Sequence, residues 1–252
     1  MSSAKVCPRL VVVGGWGVRA EMLAGLYGFW PGEVMPVSLD DELLVRCSSV
    51  PEVAEELLSL YPEPSVWMGW SLGSQIVVEA AYRETGSVSC AITLGGFPKF
   101  VADEGWPHGM PAREFRAFAR GIRQDPQRYW LHFLLLMING AADEKQERQK
   151  LKPWLEKGTL VSNDHLCKSL AWLAAGDQRA LWQSLATPAL HVMGGQDIVV
   201  RPWAGDLEIP VASRQTVVKG MAHWPGGCSA ADCWGVIQSF LASKTELASW
   251  AS

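Results

Sequence analysis

No excess of basic residues marks this chain. Its 252 residues carry a formal net charge of −4, which argues against a nucleic-acid partner. No long apolar run is present either. The most apolar internal stretch, Trp130 to Ile138, contains His132 and is too short to span a bilayer. The first apolar run stops at Gly14-Gly15, so no targeting segment is read and a cytoplasmic location is expected. The six cysteines (Cys7, Cys47, Cys90, Cys167, Cys228 and Cys233) form no C-x-x-C pair. Cys228 and Cys233 stand near His223, but the remaining ligands of a structural zinc site are missing. Buried or idle thiols in a reducing compartment are the better reading. No metal and no cofactor are expected. Internal repeats and low-complexity tracts are absent. What remains is a globular composition, 48% hydrophobic and 19% charged, of a length that suits one domain with a lid or two small domains.

The pattern along the chain alternates. Leu10 to Val13 is a β-branched run entering a glycine turn, and Glu33 to Leu39 is a weaker strand. Val53 to Leu60 has helical spacing. Ser65 to Trp70 reads as a strand and Leu72 to Tyr82 as a helix, with only Ser71 between them. Cys90 to Leu94 is the next strand. Strand signals then vanish from about Ala102 to Trp182, and return at Ala189 to Met193 and Arg214 to Val218 before a helix near Ala231 to Leu241. Alternating strands and helices predict a mostly parallel sheet with helices on both faces. The helical block predicts a lid over residues 101–182, on a core made of residues 1–100 and 183–252.

Gly69-Trp70-Ser71-Leu72-Gly73 is G-x-S-x-G at a strand-to-helix junction. A tight turn there projects the serine hydroxyl from the sheet edge, and small residues two before and two after avoid backbone clashes. The following helix directs its N-terminal dipole at developing negative charge. This makes Ser71 the candidate nucleophile of an α/β-hydrolase fold, against the bland reading of a glycine-flanked structural turn. A serine needs a base, and the fold's chain order is serine, acid, histidine. His108, His132 and His165 precede the candidate acid, and His191 sits inside an apolar strand pattern. His223, after the last strand, is the expected base. Asp197 follows the strand Ala189 to Met193 through Gly194-Gly195-Gln196 and is the expected acid; Asp206 is its nearest rival. Gly14-Gly15-Trp16-Gly17 follows the first strand, so the backbone N–H groups of Trp16 and Leu72 are expected to form the oxyanion hole. The rival reading of that loop, a dinucleotide-binding turn, fails because the glycines do not make G-x-G-x-x-G.

The lid is basic although the chain is acidic. From Met110 to Lys152 there are nine basic and five acidic residues, a net +4 that leaves −8 for the rest. Arg113, Arg116, Arg120 and Arg123 share one helix face, and Phe115, Phe118, Ala119 and Ile122 lie opposite. Guanidinium forks suit carboxylates and phosphates; the bland reading is a solvated face. Trp130 to Ile138 has too much apolar surface for solvent and is expected to line or roof a pocket.

The chain resembles the pimeloyl-[acyl-carrier protein] methyl ester esterases of biotin synthesis, from about Leu10 to Leu241. The resemblance rests on Gly15-Trp16-Gly17 with Ala20-Glu21, Trp67 to Gly73, Asp103-Glu104-Gly105-Trp106-Pro107, Gln127-Arg128 and Phe133. It implies hydrolysis of the methyl ester at the far end of a carrier-bound pimeloyl chain, with release of methanol. It also implies that Trp16, Leu72 and Phe133 meet the substrate and that basic lid residues meet the acidic carrier protein. Arg128 and Lys145 fall on positions resembling carrier-binding arginines. His132 and Gln149 stand where further arginines are usual, and Arg148 or the Arg113–Arg123 ridge would substitute. The chain is expected to act as a monomer, without a membrane. The residues alone leave open a general carboxylesterase or thioesterase with the same triad, or a non-catalytic carrier-binding module.

Overall fold

The computed structural model describes residues 7–244. In chain order the elements are β1 (Leu10–Val13), a short 3-10 turn (Ala20–Leu23) running into α1 (Ala24–Tyr27), β2 (Val34–Val37), α2 (Asp41–Arg46), α3 (Val50–Leu60), β3 (Ser65–Trp70), α4 (Leu72–Arg83), β4 (Val88–Leu94), α5 (Ala112–Gln124), α6 (Pro126–Leu136), α7 (Glu144–Lys157), α8 (Asn163–Ala175), α9 (Arg179–Ser184), β5 (Ala189–Gly194), β6 (Arg214–Val218) and α10 (Ala230–Ala242). The six strands form one sheet in the order β2-β1-β3-β4-β5-β6, and every pairing is parallel.

Strand side chains alternate between faces, so a strand buried at every position is covered on both. That is the state of β1, β3 and β5. β2 and β6, at the edges, are largely half-exposed. Each fully buried Val, Leu or Ile in the central strands contributes about 1.5–3 kcal/mol, which is what the uninterrupted apolar runs of the sequence encode. α3 packs on α4 and α1 on α10.

Five of the helices start on a side-chain cap. Asp40, Ser49, Asp125, Asp143 and Ser162 each accept a backbone N–H of the first turn from their side chains. Ser49 with Pro51 begins α3 three residues earlier than the apolar spacing alone predicts, because proline fits the first turn of a helix. The short helix α2 has no counterpart in the sequence reading; its six residues are too few to show a period.

Between β4 and β5 the chain is helical, through α5 to α9, with only isolated bridges such as Val101 with Met110. The boundary at 182–183 falls inside α9, which packs on α4. Among the described residues no helix is long and apolar enough to cross a membrane.

Candidate active site

In an all-parallel sheet the carboxyl ends of the strands share one edge. Gly14-Gly15-Trp16 follows β1, Ser71 follows β3, Gly95-Gly96 follows β4, Asp197 follows β5 and His223 follows β6. The topology therefore gathers these loops before any side chain is considered.

Ser71 has φ 55° and ψ −120°, the only positive φ outside glycine among the described residues. Such a conformation costs about 1–3 kcal/mol and persists only when the surroundings impose it. Here the Ser71 N–H donates to the Leu94 carbonyl at 3.0 Å, and the next turn closes with Ser74 N–H to the Ser71 carbonyl at 2.9 Å. Close approach demands both flanking glycines. A Cβ at Gly69 would lie 2.3 Å from the Gly73 oxygen, and one at Gly73 would lie 2.4 Å from the Val13 oxygen.

His223 Nε2 is 3.0 Å from Ser71 Oγ, and His223 Nδ1 is 2.7 Å from Asp197 Oδ2. The other carboxylate oxygen, Oδ1, accepts the N–H groups of Val199 and Val200 at 2.9 and 2.8 Å. With both oxygens engaged, the carboxylate plane is fixed. The backbone around the histidine is held as well. The Trp70 indole N–H donates to the His223 carbonyl at 2.8 Å. Gln196 N–H donates to the Met221 carbonyl at 2.9 Å and joins the acid's loop to the histidine's loop. Gly95, at φ +52°, lies so close that a Cβ would sit 3.3 Å from His223 Nδ1. Ser71, Asp197 and His223 are all buried. The set has the geometry of an activated nucleophile: hydroxyl, imidazole and orienting carboxylate in one hydrogen-bonded line.

The glycine loop after β1 reaches the same point. A Cβ at Gly15 would lie 3.1 Å from Ser71 Cβ, so this loop passes directly beside the serine. Leu72 opens α4, where the first N–H groups have no partner within the helix. The Trp16 ring is buried, donates from Nε1 to the Leu166 carbonyl at 3.0 Å, and meets Phe133 and Phe118 edge-on at 5.2 and 5.7 Å. Phe133 in turn lies 6.5 Å from the His223 ring. The Trp130 indole N–H donates to the Gly17 carbonyl at 2.7 Å. α6 is thereby seated on the site, as its apolar character predicts.

The other histidines lie elsewhere. His191 is buried in β5, with Nδ1 2.9 Å from Thr93 Oγ1 and its ring stacked on Trp182. His165 pairs with Asp41 at 2.6 Å, and His108 lies 3.4 Å from Asp206. That contact takes Asp206 out of the set around His223. His132 is exposed on α6. Cys228 donates its thiol to Gln146 Oε1, and Cys233 is buried against Met221.

Arg113, Arg116, Arg120 and Arg123 are exposed along α5, Arg128 on α6, and Lys145 and Arg148 on α7. Among the described residues none of the seven is in an ion pair, whereas Arg9, Arg46, Arg83, Lys99 and Arg179 each are. Opposite the α5 ridge, Phe115 and Ile122 are buried, with Phe118 and Ala119 half-buried.

Sequence reasoning put Phe118 on the apolar face of α5 but missed its contact with Trp16, and it missed the roles of Gly95 and of the backbone donors Val199 and Val200. The last two had a signal: an aspartate just past a glycine turn commonly accepts the N–H two residues on.

Comparison with known proteins places the fold in a family. The family model described as the alpha/beta hydrolase family matches residues 22–232. A pimeloyl-[acyl-carrier protein] methyl ester esterase of Sodalis glossinidius (strain morsitans) is 33% identical, covering 86% of this chain and 86% of its own. The protein of the same name from Methylococcus capsulatus is 28% identical, over 79% of this chain and 80% of its own. Among solved structures, a hydrolase from Oleispira antarctica superposes with a TM-score of 0.78 at 14% identity, covering 94% and 92% of the two chains, which speaks to the fold alone. The chain belongs to the alpha/beta hydrolase family.

Proposed function

We propose that this hydrolase cleaves the methyl ester of pimeloyl-[acyl-carrier protein] in biotin synthesis, giving the free distal carboxylate on the carrier and methanol. The substrate follows from the relatives named for that reaction. The observation that carries the chemistry is the Ser71–His223–Asp197 line, at 3.0 and 2.7 Å.

In this reading Ser71 Oγ attacks the distal ester carbonyl while His223 Nε2 takes its proton. Asp197 holds the imidazole in the tautomer with the proton on Nδ1 and stabilises the imidazolium. The negative charge on the former carbonyl oxygen is met by the N–H groups of Trp16 and Leu72, at the positive end of α4. His223 then protonates the departing methoxide, giving methanol and an acyl-serine. A water, deprotonated by His223, attacks the acyl-serine, and the serine leaves with its proton restored. Phe133 and the Trp16 ring supply an apolar wall for the methylene chain.

Residues 101–182 act as a lid on the core of residues 1–100 and 183–252. Its arginines and lysines, Arg113, Arg116, Arg120, Arg123, Arg128, Lys145 and Arg148, dock the acidic carrier protein. That these seven make no ion pair among the described residues supports that role, since such a cation is free to meet an acid on another chain. Carrier docking at the lid presents the far ester, rather than the thioester, to Ser71.

The test compares methanol release from the carrier-linked methyl ester with hydrolysis of a free short-chain ester, in wild type, Ser71→Ala and Arg128→Glu. Ser71→Ala is expected to stop both, and Arg128→Glu to slow only the carrier-linked reaction. Carrier-linked turnover that survives Ser71→Ala ends the proposal. Equal wild-type rates on the two substrates, unmoved by Arg128→Glu, mean a general esterase instead.

A further inference from the structure

α7 turns a largely charged outer surface to solvent, yet one of its two buried residues is an acid, Glu147, only 2% exposed. A buried carboxylate is costly unless it is held by donors. The donor here comes from a different part of the chain: Glu147 Oε1 accepts the Cys228 N–H at 2.8 Å. Two neighbours on α7 repeat the link. Lys150 Nζ donates to the Gly227 carbonyl at 3.1 Å, and the Cys228 thiol donates to Gln146 Oε1 at 2.9 Å. The loop so gripped, residues 224–229, begins immediately after His223, and its first residue is also held: Trp224 N–H donates to the Met137 carbonyl at 3.1 Å. Gly227 packs directly against the acid: a Cβ there would lie 1.9 Å from Glu147 Oε2, so any larger residue would displace the carboxylate. Burial raises the Glu147 carboxyl above its ordinary range, opposed by the Cys228 N–H and by Lys150, with Asp143 adding to the rise.

We infer that Glu147 is a positioning residue for the catalytic base: by clamping Cys228 to α7 it fixes the loop that holds the His223 imidazole on Ser71. This rests on the reading of His223 as the base. A displacement of about 1 Å in a catalytic group can cost on the order of a hundredfold in rate, so a clamp four to five residues away from the imidazole has leverage. Glu147 touches neither substrate nor reacting atoms, and a loosened clamp should therefore slow the chemical step without weakening ester binding.

The experiment measures kcat and KM on a free short-chain ester, and the rate at which an organophosphonate labels Ser71, in folded variants checked by circular dichroism melting. Glu147→Ala is expected to lower kcat and the labelling rate by the same factor, between about tenfold and a hundredfold, with KM within about twofold of wild type. Glu147→Gln, which keeps an oxygen for the Cys228 N–H, should recover most of the loss. Gly227→Ala should reproduce the Glu147→Ala defect by pushing the carboxylate away, and it decides the matter if Glu147→Ala does not fold. Wild-type kcat in a folded Glu147→Ala or Gly227→Ala variant overturns the inference. So does a change confined to KM, or a Glu147→Gln variant as impaired as Glu147→Ala. No labelling of Ser71 in the wild type is a different failure, that of the triad reading itself.

Discussion

Ser71 shows how one residue's backbone serves chemistry. Its positive φ is unfavourable for a side chain with a Cβ, and the compensating bonds come from β4 and from the first turn of α4. Replacing the hydroxyl leaves that scaffold intact, so Ser71→Ala is expected to fold normally and lose on the order of 10⁶-fold in kcat. Asp197→Asn disturbs the tautomer while keeping the shape, and a loss on the order of 10⁴-fold is expected; steady-state assays with a chromogenic ester check both. His191 offers a test of stability rather than activity. Burial in β5 pushes its imidazole from 6.5 down to about 3. Below pH 6.5 the unfolded chain takes up a proton that the folded one refuses until about pH 3. Stability therefore falls as pH drops through that window, by at most about 1.4 kcal/mol per pH unit, and is unaffected above it. Thermal melts should show a shallower acid slope in His191→Gln than in wild type.

At the scale of elements, α4 and α5 carry opposite lessons. α4 is buried along nearly its whole length, and Gly73 lets it start against β1. Gly73→Ala is expected to prevent soluble expression, because the nearest obstacle is backbone, which cannot rotate away. α5 buries one stripe and exposes another, and both stripes were legible because a helix returns to the same face every three or four residues. Reversing Arg113, Arg116, Arg120 and Arg123 to glutamate is expected to cut carrier-linked kcat/KM at least about tenfold, and to leave free-ester hydrolysis and the melting temperature near wild type. Glu147 was illegible for the same reason that the α5 ridge was clear. In Glu144-Lys145-Gln146-Glu147-Arg148 an acid looks like one more solvated residue. The N–H that holds it comes from Cys228, 81 positions away.

Across the whole molecule, charge is partitioned: the stretch from Met110 to Lys152 is positive within an acidic chain. Docking through that stretch should weaken as salt shortens the Debye length from about 30 Å to about 8 Å. The carrier-linked rate is expected to fall over that range while the free-ester rate stays flat. What the sequence determined by itself is everything set by neighbours along the chain. The glycines around Ser71, the caps of α6 to α8, the apolar runs of β1, β3 and β5 and the two faces of α5 each follow from steric or hydrogen-bonding rules that act within a few residues. Only the tertiary structure decided which distant groups meet. It brought Asp197 to His223 and Asp206 to His108, left His191 bonded to Thr93 in the core, set Phe118 beside Trp16 and bonded Glu147 to the loop after His223. Such contacts depend on the order of the parallel strands and on how the helices pack above their ends; the strand order was legible for Asp197 and His223, and the helix packing around Phe118 and Glu147 was not.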